Sequence, residues 1–378
     1  MRKCCLCQRE ALPYSKYCIF HEDVDKKDPD VVSRELIKAI ENGESNFSKG
    51  RFSQICVENK EIKRLDFSKS EIKGLVVFKN NKIETIDFRE ARIKGDVVLE
   101  NNACYQIYFQ KSDVEGSLIF RSIEAISIKS EYSTIKGELV LKDVKVPYIQ
   151  FDYSKIEKVP IFEINAEGEK ILEPSFENTK FGDPRSQERV CRKVRVIYEK
   201  AKDAVTADNY FYCEMVGKRK IKREIIEKNI INKLAKPVHR RVLAKEEKEK
   251  IVKRIYNTIV RFLAKICGRL YDLYEYLLVD FTCKYGTDWK RPIYLWGIAI
   301  LVVFPLLYFL GNGIISPNDH VGFWESMYFS IVTATTLGYG DLQPKPGIFR
   351  LLAVVEAIFG MFMWAIFLTV LAHKYMRR

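Results

Sequence analysis

The run Thr333-Ala334-Thr335-Thr336-Leu337-Gly338-Tyr339-Gly340-Asp341 has more chemistry in its backbone than in its side chains. Successive main-chain carbonyls aimed at one axis can replace the hydration shell of a cation. To aim them alike, the chain must alternate between ordinary and left-handed conformations. Glycine adopts the second at little steric cost, which accounts for Gly338 and Gly340 on either side of Tyr339. The Thr336 hydroxyl adds one more oxygen at the end of the strip.

A second group can hold a metal. Cys4-x2-Cys7 is followed, ten residues on, by Cys18-x2-His21. Two such pairs converge on one tetrahedral Zn2+, and four protein ligands make the site closed and structural. Pro13, Tyr14 and Ser15 supply the turn between the pairs, and Cys5 breaks the two-residue gap and is left out. Free thiols in a frayed terminus are the competing reading. The chain has ten cysteines, and Met1-Arg2-Lys3-Cys4 leads into polar sequence with no secretory core. A reducing compartment is expected, where grouped cysteines favour metal over disulfides.

The carbonyl strip lies between two apolar segments, 293–310 and 351–372, and the first uncharged run extends to Asn318. Each is long enough to cross a bilayer. Non-helical backbone at membrane depth is tolerated where it lines a cavity, so the strip is expected to re-enter between two spans. Residues 312–322 read as the outer loop, and 323–335 as a short helix with Glu325 in its favourable first turn. Pro305 is placed to kink the first span. Lys290 and Arg291 precede that span, and Lys374, Arg377 and Arg378 follow the second. The excess of positive charge puts both termini in the cytoplasm. Glu356 is an ionisable group inside the second span and a functional candidate for that reason, and it is expected to bond to the back of the short helix.

Thr336-Leu337-Gly338-Tyr339-Gly340 resembles the potassium-channel signature Thr-Val-Gly-Tyr-Gly, with Leu337 at the Val position. The resemblance to two-transmembrane potassium channels covers about 292–378. It implies K+ as the transported ion, a selectivity filter at Thr336, Leu337, Gly338, Tyr339 and Gly340, and support from Thr335 and Asp341. It also implies a homotetramer, because one chain supplies one filter strand. Gly360 matches the family's gating-hinge position, where hinge and close packing are both open readings. The family's acidic partner for the filter aspartate falls at Val332, so Asp341 needs another.

Upstream, Gly74, Gly95, Gly116 and Gly137 recur every twenty-one residues, as do Leu65, Ile86, Ile107, Ile128 and Ile149, and Ser70, Ala91, Ser112, Ser133 and Ser154. A five-residue period runs inside, through Phe47, Phe52, Val57, Ile62, Phe67, Ile72 and Val77, and resumes at Ile83, Phe88, Ile93 and Val98. Such a repeat signals a solenoid, and a five-residue step suits a four-sided coil. It resembles the pentapeptide-repeat fold, a right-handed four-sided parallel β-helix, with Leu65, Leu75 and Ile86 where small residues are usual. Solenoid ends need caps. A helix over 31–42, capped by Asp30 and burying Val32, Leu36, Ile37 and Ile40, is expected at one end, and 161–181 at the other.

The expected organisation is multidomain: a zinc-binding module (1–22), a linker and capping helix (23–43), the β-helix (44–183), a basic α-helical segment (184–291) and an all-α two-transmembrane pore (292–378). Asp183 and Pro184 open the helical segment as cap and first residue. Between 186 and 291 there are 27 Lys and Arg against 14 Asp and Glu, a surplus of 13 that equals the net charge of the whole chain, +13. With spans adjacent, the basic surplus points to anionic membrane lipids. No base-reading module is visible, so nucleic acid is not expected. Residues 251–281 carry Arg261, Lys265 and Arg269 four apart, unlike the every-third spacing of a voltage sensor, and read as an interfacial or inter-subunit helix. No nucleophile–base set indicates an enzyme. The alternative to a channel is a membrane-anchored β-helix scaffold with a vestigial pore.

Overall fold

The computed structural model describes residues 3–158, 160–163, 173–241, 247–316 and 321–376, with side chains omitted for 235–253, 373, 375 and 376. Met1, Arg2, Asn318, Arg377 and Arg378, used in the sequence reading, lie outside them. The chain divides into two compact units, Met1–Ile221 and Lys222–Arg378. The division falls inside the 184–291 segment.

In the first unit the twenty-one-residue repeat is one coil of a parallel β-solenoid. Three ladders of seven, six and six strands run along it. Leu65, Ile86, Ile107, Ile128 and Ile149 lie in register, one above another. Ile83 and Ile86 are both fully buried, although a flat strand would turn residues three apart to opposite faces. The Lys82–Asp87 strand therefore bends. Its register skips Glu84 against both neighbours.

Phe47, Phe67, Phe88 and Phe109 stack down the core, with ring centroids 5.4, 5.4 and 5.1 Å apart. Val57 obeys the five-residue rule, but the next two four-residue strands do not. Val76 and Phe78 point inward and Val77 does not, and likewise Val97 and Leu99 rather than Val98. Straight strand alternates strictly, so two side chains per strand fill the core on that side. Leu75 is exposed, whereas Leu65 and Ile86 are core residues. The glycine column has a steric cause: a Cβ on Gly95 would lie 2.3 Å from the carbonyl oxygen of Gly74, and one on Gly116 2.3 Å from that of Gly95.

The solenoid ends differ from expectation in detail. Helix α1 is Pro29–Glu41, and its cap is Asp28, which accepts from Asp30 N at 2.9 Å. Pro29 at the first helical position moves the start upstream of 31. Val32, Leu36, Ala39 and Ile40 enter the core. At the far end, Ile161–Glu163, Glu173–Ser175 and Lys180–Phe181 extend the three ladders as a further coil, and 164–172 lie outside the described residues. A coil leaves another open edge, so it cannot be the cap. That role falls to α2 (Pro184–Lys200) and the start of α3 (Ala204–Arg241). Val190, Cys191 and Val194 join the solenoid core, and the Tyr210 hydroxyl accepts from Phe176 N at 2.9 Å. Asp183 caps α2, with Pro184 first in the helix. Cys191 and Cys213 are joined as a disulfide between α2 and α3, where sequence alone pointed away from disulfides.

The second unit contains α4 (Glu247–Glu275), α5 (Lys290–Leu310), α6 (Phe323–Ala334) and α7 (Ile348–Met376). In α4, Val260 and Ala264 are buried, while Ile255, Ile259, Phe262, Ile266, Leu270 and Leu273 form an exposed apolar row. Gly268 permits close approach of Glu227, and Arg223 reaches Asp272 at 3.5 Å. Helices α5 and α7 are long and apolar enough to cross a membrane.

Candidate functional site

Helix α6 lies between α5 and α7 in sequence and packs on both. Its N-cap is Gly322, and Glu325 occupies the first turn. Its C-terminus ends in two reverse-turn bonds: Thr336 N donates to Thr333 O at 3.1 Å and Leu337 N to Val332 O at 3.0 Å. Thr336 itself is left-handed, with φ 59°. This is the Schellman ending, with a threonine where glycine is usual, so residue type alone does not reveal it. The turn ends the helical geometry, and Leu337 to Gly340 follow as non-helical backbone. Gly338 (φ 58°) and Gly340 (φ 81°) supply the left-handed positions, so handedness alternates along the strand. Leu337 and Tyr339 are both mostly exposed in the single chain.

Asp341 follows. Tyr328 OH, on α6, donates to its Oδ2 at 2.9 Å. The phenol sits one helical turn before Val332 and gives Asp341 the hydrogen-bond partner that a valine cannot. Behind the strand, Ile314–Ile315 pairs antiparallel with Gln343–Pro344, and Lys345 N donates to Gly313 O at 2.8 Å. The outer loop and the segment after the strand are thereby tied together. Two-residue pairings leave no sequence period to read.

The back of α6 rests on α7. Glu356 is fully buried and accepts from Tyr308 OH of α5 at 2.8 Å, and it also meets Ser330 Oγ of α6. One turn further along, Gly360 packs against the Ala334 carbonyl. In α5 the five residues Ala299–Val303 form a π turn just before Pro305. The expected disturbance at Pro305 is therefore a local widening of the helix.

At the other end of the chain, Cys4, Cys7, Cys18 and His21 come together, with their donor atoms all within 4.8 Å of one another. Cys18 Sγ lies 3.5 Å from Cys7 Sγ and 3.2 Å from His21 Nδ1. Tetrahedral zinc with bonds of 2.3 Å sets sulfurs about 3.8 Å apart, close to this spacing. His21 Nε2 lies 3.1 Å from Ser48 O, so its proton can sit there and leave Nδ1 free as a ligand. Burial, with the neighbouring Cys18 sulfur, pushes the Cys7 thiol up to about 12, so metal binding there must expel a proton. The module shares its core with the first coil: Phe20 packs edge-on to Phe47 at 5.5 Å, and Arg9 covers the Phe20 ring at 4.2 Å. Cys5 stays exposed and outside the cluster.

Two apolar helices flanking a short helix and a Thr-x-Gly-Tyr-Gly strand define the class of the C-terminal region: the architecture of a potassium-channel pore. Residues 294–377 match the family model described as "Ion channel". A stretch of 71 residues is 37% identical to two-pore potassium channel 1 of Arabidopsis thaliana, covering 19% of this chain and 20% of that protein. The chain thus spans about a fifth of that relative's length. No solved structure matches.

Proposed function

We propose that this protein is a potassium-selective channel of the cell membrane, in which four copies ring one axis and each contributes Thr336, Leu337, Gly338, Tyr339 and Gly340 to a filter. The observation that carries the reading is the alternation of left-handed residues at Thr336, Gly338 and Gly340, launched from the α6 ending. Thr335, at the helix cap, and Asp341, held by Tyr328, support the strand. The exposure of Leu337 and Tyr339 in one chain supports neighbours around them. K+ moves passively through the ring, with no enzymatic step.

Both termini lie in the cytoplasm. The solenoid, read as a right-handed four-sided β-helix, regulates conduction from there, and α3 is the continuous stretch of chain between the two units. Cys4, Cys7, Cys18 and His21 hold a structural Zn2+ that closes the N-terminal module on the first coil. Arg261, Lys265 and Arg269 flank the exposed apolar row of α4, which suits a membrane interface containing anionic lipid.

The test is ion flux from purified full-length protein in liposomes. K+ flux far above Na+ flux is expected, and Tyr339→Asp should abolish the difference. Equal K+ and Na+ flux in the unaltered protein would overturn the assignment, and an absence of any flux would favour the scaffold reading.

A further inference from the structure

The proton count around Glu356 is over-determined. Ile300, in the π turn of α5, has its carbonyl in an unusual position. Phe304 N donates to Ala299 O, five residues back, and so does not serve Ile300. In the same register the next donor would be the N–H of residue 305, which is proline and has none. The Ile300 carbonyl is buried with its residue and receives Ser330 Oγ at 2.8 Å. A hydroxyl has one proton to donate. Ser330 commits it to Ile300, yet the same oxygen also meets Glu356 Oε1. The other carboxyl oxygen, Oε2, is taken by Tyr308 OH at 2.8 Å.

If Glu356 were a carboxylate, three acceptors would share two protons, and one buried oxygen would go without. That omission is costly. Among the described residues no Lys or Arg pairs with Glu356, which is fully buried along with Tyr308 and Ser330. One arrangement satisfies every group. Glu356 carries a proton and donates it to Ser330 Oγ, Ser330 donates to Ile300 O, and Tyr308 donates to Glu356 Oε2.

We infer that Glu356 is a positioning residue for the filter strand, held as a neutral carboxylic acid that links α7, through Ser330 and the Ile300 carbonyl, to α6 and α5. Ser330 lies one turn before Ala334, where α6 ends and the strand begins. The chain of donors therefore fixes how deep the start of the filter sits against both spans. The inference rests on the channel reading for its consequence, but the proton count stands on geometry alone.

Two readouts test it on the full-length protein. The first is infrared spectroscopy in H2O and D2O, comparing the unaltered chain with Glu356→Gln. A protonated-carboxyl band that shifts with deuterium and vanishes in the variant is expected. Its absence from the unaltered chain overturns the inference whether or not the protein conducts. The second is K+ flux in liposomes. A glutamine keeps an acceptor oxygen for Tyr308 and puts an N–H donor where the neutral acid has its O–H, so Glu356→Gln should retain flux and K+ preference within about twofold. Glu356→Leu leaves Tyr308 and Ser330 without their partner and should lower K+ flux about tenfold. A Gln variant as impaired as the Leu variant, or a Leu variant equal to the unaltered chain, also overturns it. Loss of flux in the unaltered protein would instead count against the channel reading, with the infrared result still decisive for the proton.

Discussion

Gly360 lies against Ala334 so closely that a Cβ at position 360 would sit 2.3 Å from the Ala334 carbonyl oxygen. The contact joins the middle of the second span to the end of α6, where the filter strand begins. It gives Gly360 a packing role, alongside the hinge role proposed from its place in the span. The two are separable. With packing dominant, Gly360→Ala should destabilise the detergent-solubilised protein by about 1–3 kcal/mol, the usual penalty of overpacking, and depress K+ flux. Unchanged thermal stability with altered open probability in single-channel records would assign Gly360 to the hinge alone.

Tyr328 on α6 donates its hydroxyl proton to Asp341, the residue that follows Gly340. Tyr328→Phe keeps the ring and removes the donor. K+/Na+ discrimination is expected to fall by about threefold, since the bond is to a charged group but partly solvated. Bi-ionic reversal potentials measure this, and an unchanged ratio would show that Asp341 needs no intrachain brace.

In the solenoid, Gly116 has no room for a methyl group, because its Cβ would lie 2.3 Å from the Gly95 carbonyl oxygen. Gly116→Ala should therefore cost about 3 kcal/mol by forcing adjacent coils apart. Leu75→Ala, at an exposed site two coils earlier, should remain within about 0.5 kcal/mol. Denaturant melts of the two variants check the contrast, and equal losses would mean that the glycine column is not sterically required.

The metal cluster predicts one Zn2+ per chain after purification without chelator. Stripping the metal should open residues 1–22 to protease, because metal binding and folding are coupled in such modules. Cys18→Ser should lose the zinc yet retain K+ flux. Elemental analysis showing no zinc in the unaltered protein would contradict the assignment.

Regulation by the first unit is tested by truncation before Lys222, where the compact units divide. K+ preference should persist, while the response of open probability to cytoplasmic additions should disappear. Identical responses with and without the first unit would reduce the solenoid to an anchor.

Much of this architecture is written locally. The twenty-one-residue repeat fixes a solenoid because each coil makes the same bonds to the next, so one period in sequence becomes one translation in space. The Thr-x-Gly-Tyr-Gly strand and its flanking apolar segments are likewise contiguous, as are the two halves of the metal cluster. What only tertiary structure decided are pairings between elements that share no period. Tyr328 reaches Asp341, thirteen residues on, because the chain turns at Thr336. Ser330 serves Ile300 because a π turn and Pro305 together leave that carbonyl without a backbone donor. The inward residues on the four-residue strands, Val76 and Phe78 in place of Val77, follow from how far each side of the coil runs straight. A five-residue average cannot express that length. The cap on the last coil was also hidden, because the apolar stripe of α2 reads as an ordinary amphipathic helix until the open solenoid edge is placed beneath it.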